Sequence, residues 1–268
     1  MNRHITTGST RPATPAREPG VRQRVEMLEL LKAFHERLLR LAATLRFNKH
    51  KLLDMHRVAL YGTLLELTGC MIQLVEHDGR TGVPSLFRAF LEAAVELRNL
   101  TRDSDYIEHI NASHADQWLK VLKEAKKGTN PYLAAIAALP NLDAQIADQE
   151  KQLTEFASKG IRPLSIYERF ERADMADEYR SLYNFLCCDS HSNTRALISR
   201  HVELGSHDFE VVYYKDEPVE SFLATLDSTA GLLIEATQSV HEVFKTESLG
   251  EVQKLRDELA TVRARYVA

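Results

Sequence analysis

Residues 21–46 read VRQRVEMLELLKAFHERLLRLAATLR, with Val21, Val25, Leu28, Leu31, Phe34, Leu38, Leu41 and Leu45 recurring at steps of three and four. That is the period of one face of an α-helix, and the residues between these positions are largely charged. The stretch therefore predicts an amphipathic first helix. No Gly or Pro interrupts the chain from Gly20 to Gly62, from Pro84 to Gly128, or from Pro163 to Gly205. Gaps of that length exclude a mostly β fold with its frequent turns. The expected fold is mostly α: a multi-helix bundle of about eight helices with one short β element near 208–214, where DFEVVYY is β-branched and aromatic.

The remaining punctuation sets the boundaries. Residues 1–20 are polar and Pro-rich, with no apolar run, and predict a disordered tail instead of a secretory signal. The bundle is expected over 21–246, with a solvated helical arm projecting near 141–158 and an amphipathic C-terminal helix over 247–268. Within the bundle, Pro84 opens a third helix (SLFRAFLEAAVELRNLT) and Asp103-Ser104-Asp105 precedes a fourth. The longest uninterrupted helix is expected at about 174–203. The first and last helices share near-heptad apolar spacing, which suits antiparallel neighbours in one bundle or a homodimer seam.

Composition narrows the function classes. With 34 basic and 38 acidic residues the net charge is -4, so bulk electrostatic attraction to nucleic acid is missing. The one basic, aromatic-containing segment, with His109, His114, Trp118 and Lys120, Lys123, Lys126 and Lys127, is a weak RNA or nucleotide signal that suits a solvated helix face better. Three cysteines, two of them adjacent, fit neither a disulfide framework nor a zinc site and suit a cytoplasmic protein. The 18 residues Val58–Val75 carry one charge, Glu66, and approach membrane-spanning length. That central glutamate and the flanking His and charged residues favour a core helix buried on all sides, and no membrane association is expected. Phosphate-loop, dinucleotide, serine-hydrolase and metalloprotease motifs are missing, no Glu has a His three residues on, and no metal or cofactor is expected.

The candidate site is a set of polar side chains on apolar helices. Arg88, Glu92, Glu96 and Asn99 share one face of the third helix. A buried Glu66 would need a cation, and Arg88 could supply it. On the long helix, Asn184, Cys187/Cys188, His191 and Thr194/Arg195 form a stripe, with Tyr183 and Asp189 beside it. His191 beside Asp189 has the equipment for proton transfer. The competing reading is a core histidine that bonds Glu66 or Glu92 and ties three helices together.

The Arg88-x-x-x-Glu92 helix, followed about ninety residues later by YNFLCCDSHSNTRAL and then by the VVYY strand, resembles an uncharacterised bacterial helical family, domain of unknown function 5677. The resemblance covers about residues 50–245. It implies a Tyr-x-x-x-[Ser/Cys]-x-x-x-His helix, matched by Tyr183, Cys187 and His191, and a shared cluster of Arg88, Glu92, Tyr183 and His191, without a settled activity. Such proteins are similar in broad architecture to HEPN bundles, some of which are metal-independent ribonucleases with an Arg-x(4–6)-His pair. Arg195/His201 and Arg102/His109 have that spacing but not its surroundings. Two functions are thus expected as alternatives. One is a binding or regulatory bundle with a polar cluster, which Glu66, Asp189, Asn184 and Arg195 would extend toward a ligand. The other is an HEPN-like ribonuclease with a toxin or phage-defence role.

Overall fold

The computed structural model describes residues 18–77, 79–190, 193–205, 208–213 and 220–267. In chain order come α1 (Glu18–Ala42), α2 (Leu52–Glu76), a 3-10 turn (Arg80–Gly82), α3 (Val83–Arg102) and α4 (Tyr106–Lys126). A second 3-10 turn (Pro131–Leu133), α5 (Ala134–Ala137), α6 (Leu142–Ser158) and α7 (Ile166–Arg172) follow. After α8 (Ala176–Glu178), a π-helical turn (Tyr179–Tyr183), α9 (Asn184–Ser190) and α10 (Thr194–His201), the chain forms β1 (Val202–Leu204) and β2 (Phe209–Val211). It ends in α11 (Glu220–Val243) and α12 (Leu249–Val267). The fold is mostly α with a short β element, as expected, but divided more finely than eight helices. Most of the expected tail, residues 1–17, lies outside the described residues.

The chain forms two compact units: Asn99–Ala176 is one, and the segments before and after it make the other. The larger unit is a bundle in which α1 lies along α2, α11 and α12. Met27, Leu31, Phe34 and Leu38 of α1 are buried, as are Leu226, Leu233, Ile234 and Val240 of α11 and Val252, Leu255, Leu259 and Val262 of α12. Fully burying each such side chain contributes about 1.5–3 kcal/mol. The seams of the first and last helices are thus filled within the chain. Arg37 with Glu258, at 2.8 Å, and Arg265 with Glu26 run antiparallel along the α1–α12 edge.

The expectation for α2 fails in an informative way. Only one of its faces is buried, through Asp54, Arg57, Tyr61, Leu64, Leu65, Thr68, Met71, Ile72 and Val75, while Glu66 and Cys70 face solvent. That buried line begins with an ion pair, Arg57 Nη1 to Asp54 Oδ1 at 3.7 Å. Burial lowers the Arg57 pKa, and Asp54 partly opposes the shift. Gly69 marks a close approach of α1, since a Cβ there would lie 3.2 Å from Cε1 of His35 and the imidazole would have to yield by a few tenths of an ångström. The His35 Nε2–H donates to the Leu65 carbonyl at 2.9 Å.

The expected unbroken helix over 174–203 is also corrected. Asp174 takes a left-handed φ of 58°, the π-helical turn follows, and Asn193 itself leaves the helical conformation as the cap of α10, its side chain accepting from the Arg195 backbone N–H. The β element near 208–214 is a hairpin strand, and its partner is the segment just upstream. Val202 pairs with Val211, Glu203 with Glu210 and Leu204 with Phe209 in antiparallel register.

In the smaller unit α6 lies antiparallel along α4, so the arm expected to project at 141–158 is half of a helical hairpin. Leu142 and Ile146 pack with Leu119 and Leu122, and Trp118, Ile136 and Leu153 cover them. Lys123–Glu150 and Lys126–Asp143 bridge the edges at 2.8 and 2.7 Å. Ser165 and Glu168 cap α7 reciprocally. Arg162, with the Ser165 backbone N–H and hydroxyl, holds the Glu168 carboxyl down to about 2.

Candidate functional site

Residues 88 and 92 stand one turn apart on α3, so Arg88 and Glu92 present their head groups side by side, Nη2 to Oε1 at 3.1 Å. Tyr183 reaches the same point from the end of the π-helical turn. Its hydroxyl accepts from Arg88 Nη2 at 2.9 Å and donates to Glu92 Oε1 at 2.8 Å. The Arg88 guanidinium also sits 5.2 Å from the Tyr183 ring centroid, and Tyr179 stacks on that ring from the other helical turn at 5.3 Å. Cys187 stands near enough to Arg88 to help keep the guanidinium charged.

Tyr183 is 3% exposed, whereas the Arg88 and Glu92 side chains are 29% and 38% exposed. The cluster is therefore anchored in the core and open along one edge. Burial and the neighbouring Glu92 carboxylate push the Tyr183 pKa far above its ordinary value, against the pull of Arg88. At neutral pH the hydroxyl is a neutral donor and acceptor, unsuited to act as a base or nucleophile. For Arg88, burial alone would lower the pKa, but Tyr183, Glu92 and Cys187 outweigh it, so the guanidinium stays charged. Its Nε is buried without a hydrogen-bond partner.

The other expected members separate from this group or fall outside view. Glu66 lies on the exposed face of α2, so the buried carboxylate expected to need Arg88 is instead a solvated one. Asn184 is exposed and bonds the Arg180 carbonyl at 3.3 Å. Arg195 is exposed near the start of α10 and lies 5.5 Å over the Phe185 ring. The Asp189 side chain and the whole of His191 lie outside the described residues. Sequence reasoning missed Tyr179, although an aromatic pair four residues apart on a helix is a readable signal.

Neither Arg/His spacing match forms a pair. His201 Nδ1–H donates to the Val212 carbonyl at 3.2 Å, and His109 Nδ1–H donates to the Arg162 carbonyl at 2.8 Å. Arg102 Nη1 spends a donor on the Ala173 carbonyl at 3.0 Å. The lysines of the basic segment each meet a carboxylate: Lys120 with Asp116, Lys123 with Glu150, Lys126 with Asp143 and Lys127 with Glu124. Among the described residues no group of three or more His, Cys, Asp or Glu side chains is placed to hold a metal ion.

Residues 55–210 match the model of a family described as Family of unknown function (DUF5677). The chain belongs to that family. The matched segment runs from α2 into β2 and includes Arg88, Glu92, Tyr183 and Cys187, while α1, α11 and α12 fall outside it. No curated protein and no solved structure matches the chain, so the HEPN likeness gains no support from them.

Proposed function

We propose that this DUF5677 protein is a binding or regulatory module whose Arg88–Glu92–Tyr183 cluster recognises a small polar, nucleotide-like ligand at its open edge. The observation that carries this reading is the shared Tyr183 hydroxyl: it locks a cation and a carboxylate in one orientation while leaving about a third of each in solvent. A fixed guanidinium beside a fixed carboxylate offers an anion-binding fork and an acceptor for amino or hydroxyl groups, the two functions a nucleotide's phosphate and base or sugar require. Preorganisation by a buried tyrosine lowers the ordering cost of binding. The raised pKa of Tyr183 favours binding over chemistry, since the hydroxyl neither ionises nor takes a proton near neutrality.

The test is a thermal-shift and calorimetric screen of the full chain against mono- and dinucleotides at millimolar concentration. A ligand at about a hundred times its Kd stabilises by about 2.7 kcal/mol, a rise of several degrees in Tm. That rise should vanish in Arg88→Ala and shrink in Glu92→Gln. A shift of equal size in both variants, or none with any nucleotide, would refute the reading. RNA cleavage by the intact chain that disappears in His191→Ala would replace it with a ribonuclease.

A further inference from the structure

Half of the exposed large apolar side chains among the described residues fall between Phe185 and Tyr213. Leu204 is 83% exposed, Phe209 59%, Val211 49% and Tyr213 54%. The register shows why they cluster. Leu204 and Phe209 are cross-strand partners, and Val211 and Tyr213 follow Phe209 at steps of two, so all four share one face of the hairpin. The opposite face carries the partners Glu203 and Glu210 together with Val212, which is buried. The hairpin is seated through Val212, whose backbone N–H donates to the His201 carbonyl at 2.8 Å and whose carbonyl accepts from the His201 ring. Its apolar face therefore points away from the body of the unit. The surface continues onto α10, because the His201 ring lies 6.5 Å from that of Tyr213, and Ile198 and Leu197 stand three and four residues before His201. Both are exposed.

We propose that this face is a homodimer interface, in which the Leu204–Phe209–Val211–Tyr213 surface of one chain packs face to face on that of a second copy. At about 200 Å² for a large apolar side chain, the exposed parts of these four with Leu197 and Ile198 amount to about 600–700 Å², at the low end of what one partner buries in a standard stable interface. The patch is uncharged over the hairpin and so complements itself about a two-fold axis. Edge-to-edge pairing of β2 with its copy about Glu210 would set like charges opposite each other, which argues for facial packing instead. A net charge of -4 and the two glutamates beside the patch oppose an anionic membrane as the occupant.

Sedimentation equilibrium of the full chain from about 1 to 100 µM tests this, in the usual range for such interfaces. The wild type should show twice the monomer mass of 30.5 kDa. Val211→Lys and Phe209→Glu should each weaken association at least tenfold, whereas Glu210→Ala, on the other face, should leave it unchanged. All four positions are solvent-exposed, so helicity and Tm measured alongside should hold, and Leu204→Ser provides a further variant if either charged one unfolds. A chain that remains monomeric throughout overturns the proposal. So does a dimer that tolerates every hairpin-face substitution, since its seam would then lie elsewhere.

Discussion

Tyr183→Phe removes one oxygen from the centre of the candidate site and leaves the rest in place. The ring keeps its place under Arg88 and against Tyr179, and the Arg88–Glu92 pair survives at 3.1 Å. What disappears is a pair of hydrogen bonds to charged groups, at 2.9 and 2.8 Å. Such bonds contribute roughly 1.5–3 kcal/mol each when well shielded. The exposure of Arg88 and Glu92 puts these two at the low end, and the surviving ion pair recovers part, leaving a net loss of about 2 kcal/mol. For a unit of this size that lowers Tm by about 4–8 °C. Circular dichroism melts at pH 7.5 would measure it. The alkaline limb supplies a second readout. The folded pKa of Tyr183 is raised above its unfolded value, so its contribution is fully present below about pH 10 and is lost as pH rises beyond that. The variant should therefore lose less stability than the wild type above pH 10. A Tm within 1 °C of wild type, together with an unchanged alkaline limb, would mean that the hydroxyl does not join Arg88 to Glu92 in solution.

Three other perturbations address separate parts of the fold. Tyr61 is pushed up to about 12 by burial, against its bond to Thr237 at 3.0 Å, so Tyr61→Phe should cost no more than about 1 kcal/mol at pH 7 and should flatten the loss of stability between pH 10 and 12. His241 is fully buried, with Nδ1 2.5 Å from the Thr246 hydroxyl and Nε2 unpartnered, and burial lowers its pKa. Its contribution is present above about pH 6.5 and falls away as pH drops through the depressed value, so denaturant titrations at pH 7 and 5 should show a smaller acid loss in His241→Gln. Leu122→Ala empties part of the α4–α6 core and should cost about 2–4 kcal/mol, with hydrogen exchange accelerating first in α4 and α6.

The sequence made most of the helices legible and some of the faces illegible. Steps of three and four marked α1 and α12, which bury Leu31, Phe34 and Leu38, and Val252, Leu255, Leu259 and Val262, although Val25 and Leu249 of those steps are exposed and Met27, which is not one of them, is buried. In α2 the signal inverted. An apolar surround made Glu66 look buried, yet the buried line holds Asp54, Arg57 and Thr68, and leucines such as Leu60 and Leu67 stay partly open. Proteins have too little polar surface to cover themselves, so an apolar residue is weak proof of an interior position. The break at Asp174 had no glycine to announce it, and π-helical turns carry no residue signature. Asn193 was readable as an N-cap before Thr194 and Arg195. In α6, Leu142, Ile146 and Leu153 are few, but Trp118 and the α4 leucines supply the rest of a core that a single-helix view leaves out. At the candidate site, the Arg88–Glu92 spacing was legible because it is local. The arrival of Tyr183 from ninety residues away, and the departure of Glu66 and Arg195, depend on tertiary packing alone.

The order of the chain also sets a schedule. α1 and α2 emerge first during synthesis, but their buried faces are completed by α11 and α12, after the whole of Asn99–Ala176 has been made. At about 5–20 residues per second, roughly ten to thirty-five seconds separate the exit of α1 from the exit of its partners. The smaller unit, whose main contacts are local, can close within that wait. Until α11 arrives, α1 has only α2 to pack against and the line of Met27, Leu31, Phe34 and Leu38 is incomplete, which makes C-terminal truncation more damaging than its length suggests.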